Sequence, residues 1–80
     1  MREEFIGLFA AYDFTLEESE RMTQMRFRSG KIFIDVWYGK RGITIGIYDR
    51  RRQLMRYERK MSLEKIENEL IKLRGASGDK

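Results

Sequence analysis

MRFRSGKIFIDVWYGKRGITIGIY, residues 25–48, decides the fold. Met25 and Phe27 alternate with Gln24, Arg26 and Arg28. Ile32, Ile34, Val36 and Tyr38 alternate with Phe33, Asp35 and Trp37, and Ile43, Ile45 and Ile47 alternate with Thr44, Gly46 and Tyr48. Successive side chains of a strand point to opposite faces, so a period of two sends the isoleucines to one side and the aromatic and charged residues to the other. Ser29-Gly30 and Gly39-Lys40-Arg41-Gly42 supply tight turns between the runs.

A turn at Ser29-Gly30 pairs Arg28 with Lys31, which sets Phe27 opposite Ile32, Met25 opposite Ile34 and Arg26 opposite Phe33. A turn at 39–42 pairs Tyr38 with Ile43, and therefore Val36 with Ile45, Ile34 with Ile47 and Phe33 with Tyr48. After a third turn at Asp49-Arg50-Arg51-Arg52, Leu54 to Arg59 reads as a fourth strand with two possible registers. An unbulged turn sends Met55 and Tyr57 outward with Leu54 and Arg56 inward, and one extra bulged residue reverses both pairs.

The sequence on either side of this meander reads as helix. Phe5, Leu8, Phe9 and Tyr12 stand at helical spacing with Glu3 and Glu4 in the first turn, predicting an amphipathic helix over 3–12. Thr15-Leu16-Glu17-Glu18 has the capping-box pattern, which predicts a further short helical turn over 15–19. At the other end Ser62 is an N-cap, Met61 and Ile66 form a hydrophobic staple, and Leu63, Ile66, Leu70 and Leu73 make one stripe. Lys72, Arg74 and Gly75 signal the end of that helix, leaving 75–80 as a disordered tail. The stripe spans too few heptads to form a coiled coil alone and reads as core. The expected fold is an α+β two-layer sandwich: one domain over 1–74, a four-stranded antiparallel meander with a helix before and a helix after it, in the order α-β-β-β-β-α.

Composition narrows the chemistry. The 80 residues contain no cysteine and no histidine, so the thiolate nucleophile, the disulfide and the usual neutral-pH general base and metal ligand are all missing. No second carboxylate stands near Asp35 at a spacing suited to acid/base or metal work, and Gly39-Lys40-Arg41-Gly42 lacks the spacing of a phosphate loop. The expectation is a protein that is not an enzyme and uses no cofactor and no metal. The longest apolar run, Leu8 to Tyr12, falls far short of the ~20 residues of a membrane span, and no charged-then-apolar leader opens the sequence, which points to the cytoplasm.

Charge is segregated. Residues 1–25 carry two basic and six acidic side chains, residues 26–60 eleven basic against three acidic, and residues 61–80 four of each. A net charge of +4 therefore hides a strongly basic middle, which is an argument about partners rather than fold.

The outer sheet face is expected to carry Arg26, Arg28, Phe33, Asp35, Trp37, Thr44, Gly46 and Tyr48. The leading functional reading is a homo-oligomeric or protein-interaction module that buries Phe33, Trp37 and Tyr48 in an interface, most simply a homodimer. The alternative is a nucleic-acid-binding protein, in which those rings stack bases and Arg26, Arg28, Lys40, Arg41, Arg50, Arg51, Arg52 and Arg56 neutralise phosphates of DNA or RNA. Surface loops rich in Arg and Lys are also simply solvated in many small proteins. Asp35 is expected to be a cross-strand ion-pair partner of its basic neighbours.

Overall fold

A computed structural model describes residues 2–21 and 23–77, and within these the side chains of 18–21 and 75–77 are not described. The elements run α1 (Arg2–Ala11), β1 (Thr15–Arg21), β2 (Gln24–Ser29), β3 (Ile32–Gly39), β4 (Gly42–Tyr48), β5 (Leu54–Met61) and α2 (Leu63–Ser77). The strands form one antiparallel sheet in sequence order, β1-β2-β3-β4-β5. Both helices lie on one face, giving the α+β two-layer architecture with five strands instead of four.

The additional strand is β1, over the residues whose capping-box pattern predicts a helical turn. The way α1 ends explains it. Asp13 takes φ 67° and the Asp13 N–H donates to Ala10 O, while the Phe14 N–H reaches back to Phe9 O at 2.9 Å. This is the Schellman arrangement, with Phe14 packing edge-on against Phe9 at a centroid distance of 5.7 Å. With Phe14 fixed in the core, the chain leaves antiparallel to β2, pairing Thr15 with Arg28 and Leu16 with Phe27. The Thr15 hydroxyl accordingly donates to the Arg28 carbonyl at 3.5 Å. Pairing along a whole strand outweighs the two backbone donors a capping box would satisfy.

The β2–β3 register is two residues away from the expected one: Phe27 faces Ile34, Met25 faces Val36, Arg26 faces Asp35 and Arg28 faces Phe33. Gly30 is the cause. It holds φ 59° in the first central place of a Gly30-Lys31 turn, the arrangement that favours glycine in a type II′ hairpin. A slip of two preserves every side chain's face. The β3–β4 register is the expected one, Tyr38–Ile43 through Phe33–Tyr48.

The strand β5 is bulged twice against β4, between its Tyr48–Leu54 and Ile47–Arg56 pairs and again between Ile45–Glu58 and Ile43–Met61. The second bulge contains Lys60 at φ 55°. Between them Tyr57 faces Gly46 on the outer side, whereas Arg56 and Glu58 lie opposite Ile47 and Ile45 on the helix side. The second bulge returns Met61 to the core, where it packs with the residues around Ile66.

The core lies between sheet and helices: Phe5 and Phe9 of α1, Ile66 and Leu70 of α2, and Met25, Phe27, Ile34, Val36, Ile43, Ile45 and Ile47 of the sheet. Phe9 stacks on Phe27 with ring centroids 4.0 Å apart. The Ser62 Oγ caps α2 by accepting from the Lys65 N–H at 3.2 Å. The helix does not stop at Gly75 but continues to Ser77, because a glycine ends a helix only where it takes the left-handed conformation. Residues 78–80 of the expected tail lie outside the described residues.

Candidate functional site: the outer face of the sheet

The face away from the helices is organised around one buried carboxylate. Asp35, in the middle of β3, is 2% exposed and accepts two hydrogen bonds from Arg26 on β2, Nε to Oδ1 at 2.7 Å and Nη2 to Oδ2 at 3.0 Å. Such a bidentate fork fixes both planes and removes Arg26 from the supply of cations aimed at a partner. On its other side Asp35 faces Gly46, across which the Tyr48 ring lies. A Cβ at position 46 would stand 3.1 Å from Tyr48 ring atoms, so glycine is what lets the ring lie flat. Burial, and then the charge of Asp35, raises the pKa of the Tyr48 phenol.

Phe33 lies on the same face and is covered by the chain's own arginines. The guanidinium of Arg28 stands 5.4 Å from its ring centroid and that of Arg52 5.5 Å. Arg28 is held there by a hydrogen bond from its Nε to Gly30 O and by an ion pair with Glu17 on β1. A base seeking to stack on Phe33 has two guanidinium groups to displace. Trp37, half-buried, leans instead towards Tyr57 of β5 at 6.5 Å.

The expected phosphate-neutralising residues are distributed over separate places. Arg26 is paired on the outer face, while Lys40 and Arg41 tip the β3–β4 turn. Arg50, Arg51 and Arg52 occupy the β4–β5 turn at the opposite end of the sheet, and Arg56 is on the helix side. There Arg56 donates to Glu58 at 2.7 Å and pairs with Glu69 of α2 at 3.0 Å. Its pKa is raised first by the bond to Glu58 and then by the charge of Glu69.

The β4–β5 turn is ordered by Asp49, whose Oδ1 accepts from the N–H groups of Arg51 and Gln53, both at 2.9 Å. The Arg52 N–H donates to Asp49 O and Arg52 takes φ 63°, which carries its side chain over Phe33. Lys31, Arg50 and Arg51 line a shared concavity of about 380 Å³ with Met55. A second concavity, of about 520 Å³, lies between the ends of both helices and the β2–β3 turn, lined by Tyr12, Phe14, Ile32 and Arg74 among others. There the Tyr12 hydroxyl donates to Glu67 at 2.7 Å, which raises its pKa.

The unbulged register, expected to send Met55 and Tyr57 outward with Leu54 and Arg56 inward, holds for Tyr57 and Arg56, while the first bulge sets Leu54 opposite Tyr48 on the outer side. Leu54, Met55 and Tyr57 are 55, 51 and 53% exposed, on a strand that forms one edge of the sheet. The alternation of Met55 and Tyr57 was the signal available for them.

Among the described residues no helix is long and apolar enough to cross a membrane, and no cluster of acidic side chains could hold a metal ion. Comparison of the chain with protein-family models, curated proteins and solved structures finds no match.

Proposed function

We propose that this chain is a non-catalytic interaction module that works by association with protein, most simply with itself, through the outer face of the sheet and the adjoining β5 edge. The observation that carries this reading is the exposure of Leu54, Met55 and Tyr57 on one edge strand, each more than half open to solvent, with Tyr57 leaning towards Trp37. Contiguous exposed apolar side chains of this size mark interfaces more often than solvated faces. Burying the exposed half of each contributes about 1 kcal/mol. Phe33 and Tyr48 support the surface from beneath, since their rings are already covered by Arg28 and Arg52 or lie flat on Gly46.

Sedimentation equilibrium tests the proposal. The expected result is twice the chain mass at micromolar concentration, reverting to the chain mass on Tyr57→Arg or Trp37→Ala; a monomer at all concentrations overturns it.

One observation favours a second reading, binding to the phosphate backbone of nucleic acid. Asp49 holds in a fixed loop two arginines that share a concavity with Lys31, so fewer degrees of freedom are lost when phosphates bind. The expected signature is an affinity for mixed oligonucleotides that falls steeply with salt, with a shallower slope for Arg50→Gln/Arg51→Gln. No binding at low salt removes this reading.

A further inference from the structure

An edge strand leaves a row of backbone donors and acceptors unpaired, and two edges bound this sheet, β1 and β5. Their charges differ. The β1 sequence TLEESER has three glutamates against one arginine, so a second β1 carries the same net negative charge and pairing the two is opposed by like-charge repulsion. The β5 sequence LMRYERKM is different, because within its regular stretch, between the two bulges, Arg56 and Glu58 stand symmetrically on either side of Tyr57.

From this we infer that the partner of the interface proposed above is a second copy of the chain, joined antiparallel through β5 about a two-fold axis at Tyr57, so that Arg56 of each copy faces Glu58 of the other. The inference rests on the association reading and specifies its register. The side chains sort themselves accordingly. Residues directly opposite in an antiparallel pair have Cβ atoms about 5 Å apart, within reach of an ion pair. On the helix side, two Arg56–Glu58 pairs form across the axis, each arginine exchanging a contact within its own strand for an equivalent one across it. On the outer side, Tyr57 meets Tyr57, flanked by the two Trp37 rings. The two sheets become one of ten strands with both apolar edge patches covered. The bulge at Lys60 ends the pairing and keeps the contact short and closed, which a two-fold arrangement requires.

The alternative occupant is the acidic β1 edge of another copy, whose charge also complements β5. That contact is head-to-tail and continues without limit unless its rotation closes, so the size of the assembly separates the two.

Charge exchange provides the test. Arg56→Glu alone places glutamates opposite glutamates, and Glu58→Arg alone places arginines opposite arginines, so each variant is expected to lose at least about tenfold in dimer affinity. An equimolar mixture of the two restores Arg–Glu pairs at both positions and is expected to form a heterodimer, detected by native mass spectrometry. Arg56→Glu also faces Glu69 within its own chain, so a second measurement is independent of that contact. The chain contains no cysteine, and Tyr57→Cys is expected to oxidise to a covalent dimer whereas Lys40→Cys, on a distant turn, is not.

If both single variants dimerise like the parent and the mixture shows no preference, the register is overturned while the association reading stands. If the parent chain is monomeric throughout, both fail. Assemblies that grow beyond the dimer overturn the two-fold arrangement.

Discussion

Replacing either member of the Arg26–Asp35 pair disturbs the same two hydrogen bonds, yet the two replacements have unequal costs. Arg26→Ala leaves a carboxylate that is 2% exposed, with no guanidinium beside it and little access to water. Stripping a buried charge of its partner costs about 3–5 kcal/mol. Asp35→Ala leaves a guanidinium whose side chain is 27% exposed and can swing outward to regain hydration. Its loss is confined to two charge-assisted bonds, discounted for that solvent access, at about 2 kcal/mol. The double replacement Arg26→Met/Asp35→Leu removes both charges and fills the space, so it is expected to cost less than Arg26→Ala alone. Urea unfolding of the four proteins, at one protein concentration so that association affects each alike, yields the three differences and the coupling between them. Equal costs for the two single replacements, or strict additivity in the double, would refute the argument that one buried carboxylate organises this face.

Other consequences are more local. The Tyr12 phenol is held above its ordinary 10.0 chiefly by its bond to Glu67, and that of Tyr48 chiefly by burial and then by the charge of Asp35. A raised phenol pKa means that the folded chain keeps a proton the unfolded chain has already lost, so this stability is complete below pH 10 and is lost as pH rises through the raised values. Thermal midpoints are therefore expected to fall as pH rises above the ordinary phenol value of 10.0, and to fall less in Tyr12→Phe/Tyr48→Phe; identical slopes would contradict the assignment. Asp49→Asn keeps the acceptor of the β4–β5 turn and removes its charge, whereas Asp49→Ala removes both. If the loop binds phosphate, the asparagine variant binds oligonucleotides more tightly than the alanine variant at low salt, and the reverse order would show that loop geometry is irrelevant. Asp13→Gly relieves a left-handed non-glycine residue at the end of α1 and is expected to raise stability by up to about 1 kcal/mol in denaturant unfolding.

The faces of the sheet were legible in the sequence because side-chain direction has a period of two. Even the misplaced Gly30 turn, which moved the β2–β3 register by two residues, left Phe27 inward and Phe33 outward. The strand β1 was not legible. Its seven residues include one apolar side chain, Leu16, and carry a helix-start pattern, while the influence that makes them a strand is the insertion of Phe14 into a distant core. The β5 edge was half legible: the sequence offered two registers, and the backbone uses bulges at both ends to send Tyr57 outward and Met61 inward. The Asp35–Arg26 pairing was expected from charge alone. The covering of Phe33 depended on Arg52 taking a left-handed conformation, which nothing in its neighbours announces.

In the arrangement inferred above, β5 is an edge only in the isolated chain. Amide hydrogen exchange, followed while protein concentration is raised about a hundredfold through the micromolar range, addresses it at the residues concerned. Amides of 56–59 are expected to slow as concentration rises, while those of β1, the other edge, keep one rate throughout. Exchange in β5 that remains as fast as in β1 at every concentration would contradict it.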